Sequence, residues 1–81
     1  LKTIEKKVCR LFGVESDEIY SKSRRKLRAE ARGLYCYWAV RELGYPLADL
    51  ARRFGMTGQG VGYAVRRGER IAKENHFSLT E

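Results

Sequence analysis

Gln59, Tyr63 and Arg66 lie three or four residues apart in the stretch FGMTGQGVGYAVRRGER, residues 54–70, which also holds five glycines. Side chains at this spacing share one face of an α-helix, because the helix completes a turn about every 3.6 residues. A glutamine amide can pair with the N6 and N7 edge of adenine, and an arginine can bind guanine or a phosphate. The pattern indicates recognition of a nucleic acid by a helix.

The glycines raise the alternative of a nucleotide-binding loop. The pattern GxxxxGK[ST] does not occur, and a loop built on Gly58 and Gly60 needs a third glycine where Tyr63 stands. No stretch alternates apolar and polar residues for long enough to predict the strand that precedes such a loop. The sequence therefore favours a helix over a nucleotide loop.

Interior glycines are unfavourable in a helix, each by about 1 kcal/mol relative to alanine. We expect Gly58 and Gly62 to offset this by letting the helix backbone, with its positive N-terminal end, approach DNA closely. The alternative is that the helix starts at Val61 and that residues 58–60 belong to a turn. Gly68 falls on the inner side of the helix, and we expect it to pack against another helix.

The charge of the chain supports a polyanionic partner. Seventeen Lys and Arg residues stand against 10 Asp and Glu, which gives a net charge of +7 on 81 residues. The cations concentrate in residues 22–28 and 66–73, a distribution typical of nucleic-acid binding, because cations near phosphates release condensed counterions. A solvated basic face, an anionic membrane surface and RNA stay open as alternatives on charge alone.

The surrounding elements are predicted to be helices of one small all-α domain, since 81 residues can bury only one modest core. Apolar residues at helical spacing predict a first helix over 3–12 that ends at Gly13, and a connector over 14–23 with one helical turn. A second, central helix over 27–43 ends at Gly44, and a short third helix over 46–54 begins with Pro46 as its first residue.

Residues 46–73 fit a helix-turn-helix, in which a short helix, a glycine-containing turn and a second helix pack at a steep angle. Thr57 is predicted to be the N-cap of the second helix, which accepts a backbone N–H. Small, glycine or apolar residues occupy every position where the motif requires them: Leu50, Ala51, Phe54, Gly55, Met56, Val61 and Ala64.

Catalytic and metal-binding patterns are not evident in the sequence. Cys9 and Cys36 lack the spacing of a zinc site, and we expect both to be buried, reduced thiols. The single histidine, His76, and the carboxylates form no cluster by spacing. We therefore expect no catalytic residue, no metal ion and no cofactor in this chain, and we treat an enzyme or a protein-docking module as the less favoured functions.

Two segments, VCRLFGVESDEIYSKSRR and YCYWAVRELGYPLADLARRFG, carry a family resemblance. They resemble the C-terminal DNA-binding domain of the bacterial replication initiator DnaA, which has a similar SK.RR segment, an ARELT-like helix end and an SLPEIGRAFG-like helix. The resemblance implies a DnaA C-terminal or Trp-repressor-like fold with a central helix and a helix-turn-helix.

The resemblance departs at the residues that read DNA. Residues 56–61 are one residue shorter than the family's GRDHTTV signature, and residues 28–32 do not reproduce its Arg-Pro-Arg. The glycine-rich turn is similar to that in the C-terminal domains of REP-associated tyrosine transposases. This implies the DNA-binding module of a transposase-related protein, with a divergent replication initiator and an RNA-binding module as alternatives.

We expect residues 1–81 to be one DNA-binding domain, a C-terminal fragment of a longer bacterial protein of the cytoplasm and nucleoid. Its expected partner is double-stranded DNA, with no membrane and no metal. Base readout is predicted for Thr57, Gln59, Tyr63 and Arg66. Contacts to phosphates or the minor groove are predicted for Lys22, Arg24, Arg25, Lys26, Arg28, Arg67 and Arg70.

Overall fold

The computed structural model describes residues 2–20 and 26–77, and within them the prediction of an all-α domain is confirmed. No strand occurs in these ranges. The elements are α1 (Lys2–Phe12), α2 (Ser16–Tyr20), α3 (Lys26–Tyr37), a π-helical segment (Trp38–Glu42) that continues α3, α4 (Leu47–Phe54) and α5 (Gly58–Asn75).

The ends of α1 and of the π-helical segment lie where the sequence predicts them. Gly13 and Gly44 have φ angles of 63° and 72°, in the left-handed region where glycine is favoured because it has no Cβ. The single turn predicted within the connector is α2, and its Glu18 carboxylate accepts from the backbone N–H of Glu15 at 3.3 Å. The two helix ends and the single turn therefore follow from local signals.

The central helix differs from its prediction, because residues 27–43 are not α-helical throughout. From Trp38 onward the chain widens into π-helical turns, and the N–H of Leu43 donates to the carbonyl oxygen of Trp38 at 3.2 Å. Within these turns Trp38 and Ala39 are buried in the core, 1% and 0% exposed. Apolar residues three or four positions apart do not distinguish these wider turns from α-helical ones, so the sequence predicts a single α-helix here.

Helix α3 is the central element, as the sequence predicts. Its fully buried residues pack against Ile4 and Val8 of α1 and Val61 of α5. Helix α4 closes the core through Leu50 and Phe54, which are 0% and 4% exposed. The fully buried residues of α3 are Ala31, Leu34, Tyr35 and Cys36.

Aromatic rings join α2, α3 and α4 at one side of this core. The Tyr20 ring stacks on Phe54 with centroids 5.0 Å apart, and Tyr35 meets Phe54 edge-on at 5.1 Å. The Tyr20 hydroxyl donates to the Glu5 carboxylate at 3.3 Å, so its oxygen accepts from the Tyr35 hydroxyl 3.1 Å away. Burial, followed by the hydrogen bond to Tyr20, raises the pKa of Tyr35.

Helices α3 and α5 cross in direct backbone contact at Gly33 and Gly68. A Cβ atom at Gly68 would overlap the carbonyl oxygen of Gly33 and lie 2.6 Å from the Cβ of Tyr37. The prediction that Gly68 packs inward is confirmed, and its partner is a second glycine that the sequence did not single out. The two backbones meet here because neither residue has a side chain.

Of the two cysteines, Cys36 is buried as predicted, and burial raises its thiol pKa to about 12. Cys9 is only partly buried, because it lies at the edge of the α1 stripe formed by Ile4 and Val8. No helix in the described ranges combines the length and the apolar character that a membrane crossing requires.

Candidate nucleic-acid interface

The turn between α4 and α5 has the geometry of a helix-turn-helix. Gly55 adopts φ 64° and ψ 37°, and the N–H of Met56 donates to the carbonyl oxygen of Ala51 at 2.9 Å. This left-handed glycine ends α4 and reverses the chain, as predicted. Pro46 differs from the prediction: its extended ψ of 148° makes it the N-cap, so α4 begins at Leu47.

Thr57 starts α5 as the predicted N-cap. Its Oγ1 accepts a hydrogen bond from the backbone N–H of Gly60 at 3.0 Å, and its own backbone is extended. Helix α5 therefore begins at Gly58, and the alternative start at Val61 is wrong. The cap uses one of the two acceptor lone pairs of Thr57 Oγ1 within the domain.

Helix α5 separates buried and exposed residues as its sequence predicts. Its inner side is buried at Val61, Val65, Gly68, Ile71 and Ala72. Its outer side exposes Gln59, Tyr63, Arg66 and Arg70, with Tyr63 62% exposed.

The Gln59 amide nitrogen lies 3.5 Å from the Tyr63 hydroxyl, so the two side chains extend together from the first turns of α5. They line an open groove of about 400 Å³ with Leu47 and Arg66. The three predicted base-reading side chains of α5, Gln59, Tyr63 and Arg66, therefore share one accessible surface.

Gly58 and Gly62 have no packing role in the described structure. A Cβ atom at either position would meet no described atom within 4 Å. Gly60 is different, because its Cβ would lie 3.2 Å from Thr57 Oγ1 and 3.3 Å from Met56 Cε. The open side of α5 is thus free of side chains at two positions, four residues apart, that also line the groove with Gln59 and Tyr63.

The predicted phosphate-binding residues fall into three groups. Arg67 and Arg70 are exposed on α5, and Lys26 is exposed at the start of α3. Arg28 is half-buried and its Nε donates to Glu18 Oε2 at 3.1 Å, so part of its charge is neutralised within the domain. The remaining predicted residues, Lys22, Arg24 and Arg25, lie outside the described residues.

This geometry can be set beside known proteins. Residues 1–67 match the family model described as the bacterial dnaA protein helix-turn-helix. The chain belongs to this family. It is also 32% identical over 72 residues to the chromosomal replication initiator protein DnaA of Pseudothermotoga lettingae. That match covers 89% of this chain and 16% of the initiator's length. No solved structure matches the chain significantly.

The match to the DnaA helix-turn-helix family ends at Arg67, in the middle of α5. Beyond it, α5 continues to Asn75, and Phe77 packs edge-on against Phe12 of α1 with centroids 6.2 Å apart.

Within residues 2–20 and 26–77, no three His, Cys, Asp or Glu side chains come together as metal ligands do.

One arginine beside this interface was not predicted as a site residue. Arg32 of α3 lines a groove with Arg67 and Tyr63 of α5. Its position four residues after Arg28 was the available signal, because the two lie on the same face of α3. Away from this surface, hydrogen bonding to Tyr20 raises the pKa of Arg53 in α4.

Proposed function

We propose that this domain binds double-stranded DNA sequence-specifically, with α5 in the major groove. The observation that supports this function most directly is that Gln59, Tyr63 and Arg66 are exposed together on α5. They follow directly after a glycine turn and a threonine cap. The N-terminal turns of a recognition helix are where side chains contact base edges. Gln59 pairs with adenine, Arg66 with guanine or a phosphate, and Tyr63 with a thymine methyl group or a phosphate.

The cations around α5 hold the duplex in this proposal. Arg67 and Arg70 flank the reading face, and Lys26 and Arg28 stand at the start of α3. With Lys22, Arg24 and Arg25 in the preceding segment, they contact phosphates or the neighbouring minor groove. These contacts supply affinity that falls with salt and carries no sequence information.

Gly58 and Gly62 allow α5 to approach the DNA closely. Their open surface and the positive N-terminal end of the helix both favour a nearby phosphate or base edge. The proposal places Thr57 at this end as well, where its hydroxyl hydrogen donates to the DNA.

Two roles are proposed for the longer protein that contains this domain. The similarity to a replication initiator supports a role in initiating replication on the bacterial chromosome. The transposase context rests on the resemblance of the glycine-rich turn. Because residues 56–61 depart from the GRDHTTV signature, we propose a target sequence different from the one that this signature reads.

A selection from a random duplex library, run with excess single-stranded DNA and RNA as competitors, tests the function. We expect one duplex motif of a few base pairs to be enriched, and its binding to persist in the presence of both competitors. Enrichment of no motif, or loss of the bound duplex to a single-stranded competitor, would contradict the proposal. The selected motif also separates the two contexts when it is compared with replication origins and transposon ends.

A further inference from the structure

A basic groove runs between α3 and α5, beside the reading face of α5. It has a volume of about 180 Å³ and is lined by one arginine from each helix, Arg32 and Arg67. Tyr63 forms one side of it and is shared with the reading face. Of the described residues that line this groove, none is a carboxylate; the others are Ala29, Met56, Gly60 and Ala64.

The glycine crossing explains why two cations of distant sequence meet here. Arg32 precedes Gly33 and Arg67 precedes Gly68, and these two glycines are in backbone contact. A Cβ atom at Gly33 would lie only 3.5 Å from the Cβ of Arg67. Because this contact holds the two helices together, the backbone positions of both arginines are fixed beside the same groove.

We infer that the groove between α3 and α5 binds a backbone phosphate of double-stranded DNA through Arg32 and Arg67. The inference rests on the proposed function and adds Arg32, a residue of the central helix, to the DNA-contacting set. A duplex that lies on Gln59, Tyr63 and Arg66 has one of its strands beside this groove, because Tyr63 borders both surfaces. Arginine suits the site because its guanidinium binds phosphate oxygens in pairs.

The first test compares Arg32→Gln with wild type in the salt dependence of duplex binding. Arg32→Gln removes one of the two cations on this phosphate, so the slope of log K against log salt should fall by up to about 0.9, the value for one whole phosphate contact, and affinity should fall up to about 3.5-fold less between about 50 and 200 mM salt. Arg32→Lys, which keeps the charge, should restore most of the slope. Arg10→Gln is the matched control, because Arg10 is exposed on α1 and should leave the slope unchanged.

The second test locates the phosphate on the selected duplex by replacing single phosphates with neutral methylphosphonates. We expect one position to weaken wild-type binding severalfold and to weaken the binding of Arg32→Gln and of Arg67→Gln less, because each variant has one of the two arginines left. This comparison does not depend on the absolute stability of either variant, since each is measured against its own unmodified duplex.

The outcomes separate this inference from the proposed function. A wild type that binds the duplex while Arg32→Gln keeps the full slope overturns the groove alone. An equal decrease in Arg10→Gln, or no recovery in Arg32→Lys, also overturns it, because the effect is then not that of a local phosphate contact. A wild type that prefers single-stranded DNA or RNA overturns both.

Discussion

At Gly68 the backbone of α5 touches the carbonyl oxygen of Gly33 in α3, whereas no described atom lies within 4 Å of a Cβ at Gly58 or Gly62. The same residue type therefore meets two different demands in one helix. In the middle of α5 the missing side chain makes room for another helix of the domain. At the leading end no described atom of the domain occupies the room, which leaves it open for the close approach of DNA that we propose.

The sharpest test of the packed region is Gly68→Ala. A Cβ there would overlap rigid backbone, so we expect unfolding to become easier by about 3 kcal/mol or more. Urea denaturation followed by the fluorescence of Trp38 measures this difference. Gly62→Ala is the matched control, and a loss below about 1 kcal/mol in Gly68→Ala would show that the two helices separate at little expense.

Gln59→Ala tests whether the open region at the start of α5 reads a base of the duplex. We expect affinity for the selected duplex to fall by about 1 to 3 kcal/mol and its sequence preference to relax at one position. Stability should stay within about 0.5 kcal/mol, because Gln59 is exposed. Fluorescence anisotropy on the selected duplex and on single-base variants measures both effects.

Glu74→Gln, a change at the opposite end of α5, is the control for Gln59. It should keep the sequence preference of wild type. An unaltered preference in Gln59→Ala would remove this residue from base readout.

Thr57→Ala tests the boundary between the two regions. Removal of Oγ1 leaves the N–H of Gly60 without its cap, and we expect the free energy of unfolding to fall by about 1 kcal/mol. Thr57→Ser keeps the oxygen and should retain most of the stability. If the serine variant is as unstable as the alanine variant, the methyl group of Thr57 matters and the cap does not.

Gly62→Ala has the smallest expected effect on the free energy of unfolding. The direction of that change is informative, because we expect an increase. Alanine should raise the free energy of unfolding by about 0.5 to 1 kcal/mol, because its Cβ meets open space. If the helix approaches DNA closely here, the same change should weaken duplex binding. Greater stability with undiminished affinity would argue against close approach at this position.

Local signals carried most of the correct predictions. The turn at Gly55, the cap at Thr57 and the buried side of α5 depend on residues within a few positions of each other, and their spacing is visible in the sequence. The exposure of Gln59 and Tyr63 follows from the same periodicity. This is why the helix-turn-helix could be predicted in detail.

Features that depend on distant helices could not be predicted. The π-helical turns from Trp38 to Glu42 are not indicated by the spacing of the apolar residues. The ion pair of Arg28 with Glu18 depends on how separate helices pack. The same is true of the groove that Arg32 and Arg67 line together. Gly33 is ordinary in the sequence and becomes decisive only when Gly68 lies against it.

Helix α5 also has a mechanical consequence for the domain. Its 18 residues span about 27 Å at a rise of about 1.5 Å each, close to the domain's longest dimension of 28 Å. This continuous helix is held near its middle by the backbone contact of Gly68 with Gly33. Just past its C-terminal end, Phe77 packs on Phe12. Before the crossing, Val61 and Val65 hold the inner side of the first turns in the core. Gly58 and Gly62 therefore lie on the open side of a rod whose inner side is anchored, and the first turns keep a fixed position relative to the rest of the domain.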